Sequence, residues 1–199
     1  QFQYQKALEM YEELFMLAGE LQRPAQEAYA LRNIGDWHMK LGEDQKALEL
    51  CEQALELVRP LNNFDEEGQI LILMSDVYRA LELHWEAMEY AEQALALAPK
   101  VADWDLEGDA LRMLGYAYGS LGYPPEAIEY FQKAGSASRQ KENYTGVAHA
   151  WKGLARTYFS NRRYQEAVEA WKQALSLYRR YHPDPFQTRV QHRVIKNSF

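Results

Sequence analysis

The sequence has a single cysteine, Cys51, so the chain by itself can build neither an internal disulfide nor a thiolate metal site. No apolar run approaches the roughly 20 residues that a membrane-spanning helix requires. Glu9, Glu12, Glu13 and Glu20 interrupt the stretch where an export signal would need to be apolar, so neither a leader nor an anchor is expected. Basic charge is in deficit too: 22 Lys and Arg against 29 Asp and Glu leave a net charge of −7, which argues against general nucleic-acid binding. Together these absences predict a soluble chain in a reducing compartment, and the expected location is cytoplasmic.

Catalytic patterns are missing as well. His38, His84, His149, His182 and His192 are spread along the chain, and none pairs with another His or Cys at the close spacing of a metal site. There is no phosphate-binding glycine loop, no G-x-S-x-G elbow and no H-E-x-x-H helix. Glu12-Glu13 and Glu66-Glu67 occupy adjacent positions that point apart, which reads as solvent charge rather than an acid/base pair. No enzymatic activity, cofactor or metal is expected. Asn143-Tyr144-Thr145 matches a glycosylation acceptor, but in a chain without export it reads as a helix start.

What the sequence does contain is a repeat. The words Lys6-Ala7-Leu8-Glu9, Lys46-Ala47-Leu48-Glu49, Glu86-Ala87-Met88-Glu89, Glu126-Ala127-Ile128-Glu129 and Glu166-Ala167-Val168-Glu169 return every 40 residues without insertion or deletion. Equal spacing requires equal structural units. Downstream of four of these alanines, Cys51 and Ala54, Ala91 and Ala94, Phe131 and Ala134, and Trp171 and Ala174 follow at spacings of four and three, one face of a helix. Upstream, a second helical set recurs: Leu31, Ile34, Gly35 and His38; Leu71, Met74, Ser75 and Tyr78; Leu111, Leu114, Gly115 and Tyr118; Trp151, Leu154, Ala155 and Tyr158. All of these read as core. Leu41-Gly42-Glu43-Asp44 and Leu121-Gly122-Tyr123-Pro124 break the pattern between the two helices, glycine suiting a left-handed helix end and proline a helix start.

Trp151-x2-Leu154-Ala155-x2-Tyr158, and Leu111-x2-Leu114-Gly115-x2-Tyr118 followed by Ala127-x3-Phe131, resemble the tetratricopeptide repeat signature, with Pro99 at the closing proline of its unit. Departures are Ser75 and Ala155 for the glycine, His38 for the tyrosine, and Cys51 and Ala91 for the phenylalanine. The family's usual period is about 34, and the extra length is assigned to longer helices and to linkers at Arg59–Asp65, Pro99–Asp105 and Gln140–Tyr144. Long units of this kind are similar to those of kinesin light chains, Pins-type polarity scaffolds and bacterial sensor or regulator proteins. The resemblance implies an all-α, right-handed superhelical solenoid of antiparallel helix pairs. The expected order is a second helix of a truncated repeat (1–22), four full repeats (23–62, 63–102, 103–142 and 143–182) and a helix over 183–199 carrying Phe186, Val190 and Val194 on one stripe, read as a cap in preference to the start of another unit because a solenoid end needs a polar outer face. Because residues 1–21 match only a second helix, the chain is expected to be a piece of a longer protein or one with a trimmed terminus.

In this family the first helix of each unit lines the concave side, which places the candidate partner-binding residues there. They are Tyr29, Arg32, Asn33 and Asp36; Ile72, Asp76 and Arg79; Asp109, Arg112 and Tyr116; and His149, Lys152 and Arg156. With Lys40 added, six cations face three carboxylates, so this surface sums to +3 and the remaining positions of the chain to −10. Arg32, Arg112 and Lys152 share one repeat position and form a basic ladder interrupted by Ile72. The ladder either receives carboxylates and backbone carbonyls of an extended segment or salt-bridges to Asp36, Asp76 and Asp109. Asp36 stands where carboxylate capture would want a neutral amide, so chaperone-tail binding is not expected. The expected function is a scaffold that holds a protein or peptide of acidic character in its groove, with no nucleic acid or membrane as partner. The alternative is a regulatory or sensor segment of a larger enzyme or transcription regulator, docking an effector domain or self-associating.

Overall fold

The computed structural model describes residues 2–101 and 105–181. Among these residues the chain is all-helical: α1 Phe2–Glu20, α2 Pro24–Lys40, α3 Asp44–Val58, α4 Phe64–Ala80, α5 His84–Leu97, α6 Leu106–Ser120, α7 Pro124–Gln140, α8 Tyr144–Ser160 and α9 Tyr164–Tyr181. The capping helix expected over 183–199 lies outside the described residues.

The period is visible in where helices start and stop. α3, α5, α7 and α9 begin at Asp44, His84, Pro124 and Tyr164, and α2, α4, α6 and α8 end at Lys40, Ala80, Ser120 and Ser160, each series in steps of 40. Proline opens α2 and α7, where its missing N–H is no loss. Asn63, Asp105 and Asn143 cap α4, α6 and α8 by accepting from the backbone N–H of Glu66, Gly108 and Gly146. Asn143 is therefore a helix start, as its sequence setting indicated. The 140–144 linker is only the turn between α7 and α8.

Helix ends follow a finer period. Left-handed residues fall at Gln22, Gly42, Asn62, Glu82, Gly122, Glu142 and Arg162, positions separated by 20 or a multiple of it. After several of them the chain closes a Schellman bond, Glu43 N–H to His38 O at 2.9 Å and Arg163 N–H to Tyr158 O at 2.9 Å among them. Gly42 and Gly122, expected from the sequence, adopt this conformation without a Cβ penalty, whereas Glu82 and Arg162 hold the equivalent places with one.

Pairs α2/α3, α4/α5, α6/α7 and α8/α9 pack antiparallel, and α1 packs on α2 as a leading second helix. The first helices α2, α4, α6 and α8 also touch one another in sequence, while the second helices make at most marginal contact with each other. An inner row in contact and an outer row splayed apart is the condition for curvature, and it leaves the inner row on the concave face. The repeated alanines Ala47, Ala87, Ala127 and Ala167 and the positions Ala54, Ala94, Ala134 and Ala174 are buried, which lets the helices approach. Phe131 fills the gap between layers: a Cβ on Gly115 would lie 2.9 Å from its ring and one on Gly153 only 2.3 Å, so both neighbours must be glycine. Ser75, standing where the family signature has glycine, is 1% exposed and donates its hydroxyl to Ala87 O at 2.7 Å, so its polar atom is satisfied where α4 and α5 meet. One residue expected in the core is not: Trp171 on α9 is 42% exposed, its ring lying 5.6 Å from that of Phe159, itself exposed near the end of α8.

Candidate functional site

The concave face is a groove floored by α2, α4, α6 and α8. Two bays lie along it. The first, of 260 Å³, brings together Arg32, Asp36, Ile72, Asp76 and Arg112 with Met39 and Met113. The second, of 150 Å³, gathers Arg79, Tyr116 and Arg156 with Ser120, Ser160 and Asn161. Tyr29, Asn33, Asp109, His149 and Lys152 lie outside both bays. Tyr29 meets Tyr11 of α1 edge-on at 6.2 Å and carries the Arg32 guanidinium 5.3 Å from its ring centre. Asn33 donates back to Tyr29 O at 2.7 Å, and His149 leans on Tyr178 of α9 at 5.9 Å between ring centres.

Charge in the groove is organised as pairs. Asp36 binds Lys40 at 2.5 Å, Asp76 binds Arg79 at 2.5 Å and Asp109 binds Arg112 at 2.7 Å, each within its own helix at the spacing where neighbours meet. Burial alone would pull the Arg112 guanidinium down, but the charge and hydrogen bond of Asp109 outweigh it and hold the group above its ordinary value. Arg112 is thus locked as a cation. Tyr116 sits beside it, with Arg79 and Arg112 at 5.5 and 6.0 Å from its ring centre.

Arg32 is held differently, and this corrects the reading of Glu66-Glu67 as solvent charge. Glu66 is 8% exposed and accepts from Arg32 Nε at 2.6 Å, a bond that ties α2 to the first turn of α4. Glu67 accepts from Arg59 Nε at 3.1 Å across the α3/α4 junction. Counting Glu66 lowers the surplus of the groove from +3 to +2. The missed signal is Asn63-x-x-Glu66, a capping-box spacing that places the glutamate in the first helical turn; here Asn63 caps the helix and the glutamate turns to the neighbouring repeat. Sequence reasoning also missed Tyr178, which reaches in from α9; burial first, then the charge of Tyr116, pushes its hydroxyl above the ordinary tyrosine range.

Lys152 and Arg156, one turn apart on α8, are exposed and have no carboxylate partner among the described residues. Phe159, 53% exposed, continues the same helix face. No group of His, Cys, Asp and Glu among the described residues could hold a metal ion. Cys51 is fully buried and its thiol is pushed up to about 12 by that burial, so it stays neutral and unreactive. Among the described residues no helix is long and apolar enough to cross a membrane.

Comparison with known proteins agrees with this architecture. No curated protein matches the sequence. Solved structures do, at identities that speak for the fold alone. BtubC (BKLC) from P. vanneervenii superposes with a TM-score of 0.74 at 19% identity over 90% of this chain and 75% of its own. Nearly identical TPR-like repeats assigned to a kinesin light chain of Podosopora anserina give 0.65 at 21%, over 92% and 90%. A Rap protein, solved as a complex with Competence and Sporulation Factor, gives 0.81 at 18%, over 95% of this chain and 53% of its own. Family models for the tetratricopeptide repeat match residues 26–100, 109–141 and 148–181, well over half of the sequence. With the register, the helix pairs and these matches in agreement, the chain belongs to the tetratricopeptide repeat family, whose members are generally non-catalytic protein-interaction scaffolds.

Proposed function

We propose that this scaffold grips an extended, acidic peptide segment in its concave groove, with the segment's carboxylates received by Lys152 and Arg156. One observation carries the reading. Arg32, Lys40, Arg79 and Arg112 each already hold a carboxylate of this chain, whereas the two cations of α8 hold none among the described residues. Arginine offers two parallel donors to a carboxylate, and an exposed cation beside an exposed Phe159 provides both charge and apolar contact to a partner. The Rap structure, with its bound factor, supports capture of a ligand by the same fold. The remaining candidates then serve the groove by shape: Ile72 and Tyr116 as apolar floor, and the Arg32, Arg79 and Arg112 pairs as fixed walls.

The test is a peptide array of acidic, neutral and basic extended segments, probed with the parent chain and with Lys152→Glu/Arg156→Glu. Acidic segments retained by the parent and lost by the variant, with unchanged helicity, support groove capture. Retention by both variants of the chain sinks it.

Docking of an effector domain or of a second copy has its own supporting observation. Apolar residues are exposed on the first and last described helices, Met10, Met16 and Leu17 on α1, with Leu21 in the turn after it, and Tyr164, Val168 and Leu175 on α9. A molecular mass that rises with concentration in sedimentation, and falls back on Leu17→Glu or Val168→Glu, is the outcome this reading requires. A reducing, cytoplasmic setting fits a chain whose single thiol is buried and neutral.

A further inference from the structure

Besides the groove bays, a cavity of 200 Å³ opens between α7 and α8. Its interior is apolar, formed by the buried Phe131, Ala150 and Leu154 with half-buried Trp151, and the exposed Arg139 stands at its mouth. The repeat register shows what is missing from it. Gly135 occupies the place that Leu55, Leu95 and Leu175 hold in the other repeats. Leu55 is buried in its own junction, and Leu95 packs against the cluster of Leu111 and Ala134. At Gly135 nothing has moved in to replace that side chain: an added Cβ would meet only Ala150 Cβ, at 3.4 Å, which is ordinary contact. Glycine there is required neither by crowding nor by a left-handed backbone, and inside a helix it weakens the fold relative to alanine.

A second group is missing from the same junction. Between α3 and α4, Arg59 is paired with Glu67 at 3.1 Å. Eighty residues on, the equivalent positions are Arg139 and Val147, so the arginine remains while its carboxylate has become a buried valine. Arg139 has no carboxylate partner among the described residues. The α7/α8 junction therefore lacks an isobutyl group and a carboxylate, both of which the chain itself supplies at α3/α4.

We propose that this slot is a second docking site, taking a leucine-sized aliphatic side chain of a partner protein together with an adjacent carboxylate that binds Arg139. It shares only Phe131 with the second groove bay and does not use Lys152 or Arg156, so each proposal stands or falls independently of the other.

N-acetyl-L-leucine, which carries both missing groups, is the probe. It is titrated into the full chain while the Trp151 indole N–H is followed by NMR, that resonance being assigned by its absence from Trp151→Phe. The expected result is a saturable shift with half-saturation on the order of 1 mM, as suits a ligand of this size. N-acetyl-L-alanine and N-acetyl-L-leucinamide, each lacking one group, should bind at least about tenfold more weakly. Gly135→Leu fills the slot from within, so its melting temperature rises and the shift disappears; Gly135→Ala melts higher but still responds. The proposal is overturned if Trp151 does not respond in the parent chain, or responds equally to the alanine and leucine probes. Both of those arms use the unaltered protein, so they decide the matter even where Gly135→Leu fails to fold.

Discussion

The inner row of helices treats its cations in two ways. From α2 to α6, Arg32, Lys40, Arg79 and Arg112 are each bound to a carboxylate, and Arg32 and Arg112 are largely buried in doing so. On α8, Lys152 and Arg156 stand in water. Repeat position alone does not distinguish them, since Arg32, Arg112 and Lys152 occupy the same place in successive units. What separates them is the neighbour. Arg32 meets Glu66 at the start of α4, Ile72 has Leu106 at the equivalent place on α6, and Arg112 has Gly146 on α8. The same junction is built with an ion pair once and with apolar residues once. A cation in this row is therefore structural wherever its own chain answers it, and available to a partner where it does not.

The largest consequence concerns Arg32. Arg32→Ala leaves Glu66 buried without its partner and is expected to cost about 3 kcal/mol of unfolding free energy in urea, because an unpaired buried charge is expensive. Lys152→Ala at the equivalent position is expected to change stability by no more than about 0.5 kcal/mol. Equal losses in the two variants would erase the distinction. The double change Arg32→Ile/Glu66→Leu copies the α4/α6 junction into α2/α4 and should return to within about 1 kcal/mol of the parent, since apolar pairs replace buried ion pairs at little cost.

The turns offer a smaller contrast of the same type. Gly42 and Arg162 hold equivalent left-handed positions, φ +80° and φ +60°. Arg162→Gly should stabilise the chain by about 1 kcal/mol in thermal or urea unfolding, and Gly42→Ala should destabilise it by a similar amount. If Arg162→Gly is neutral, the backbone there is supported by side-chain contacts that glycine gives up.

The buried thiol adds a contrast that only alkaline pH reveals. Cys51 titrates near 8.5 in an unfolded chain and at about 12 when folded, so the unfolded state releases its proton first. Its contribution is complete below about pH 8.5 and is lost as pH climbs from there towards 12. Urea midpoints of Cys51→Ala should accordingly decline less steeply over that alkaline range than those of the parent. A thiol reagent should react with the parent only as fast as the chain unfolds.

Much of the fold is legible along the chain. The alanine words mark the period, their spacings of three and four mark helix faces, and the buried Ala47, Ala87, Ala127, Phe131 and Cys51 follow from them, because close packing repeats wherever the small residues repeat. Gly42 and Gly122 announce their turns, while Glu82 and Arg162 reveal no left-handed preference and are known as such only from the backbone. Register alone nominates the thirteen candidate groove residues, of which five line one bay and three the other.

Charge is where the two levels part. Pairs within a helix, Asp76 with Arg79 and Asp109 with Arg112, can be read from spacing because a helix brings such neighbours together. Arg32 and Glu66 are 34 residues apart on different helices, and no local rule joins them. Period and core composition, and with them the helix pairs and the curved stack, were contained in the order of residues, since local helical spacing and small-residue packing dictate both. Which cations are spent on the chain itself and which face outward was decided only when the helices stacked, because a few ångströms between side chains on neighbouring units determine whether an ion pair forms.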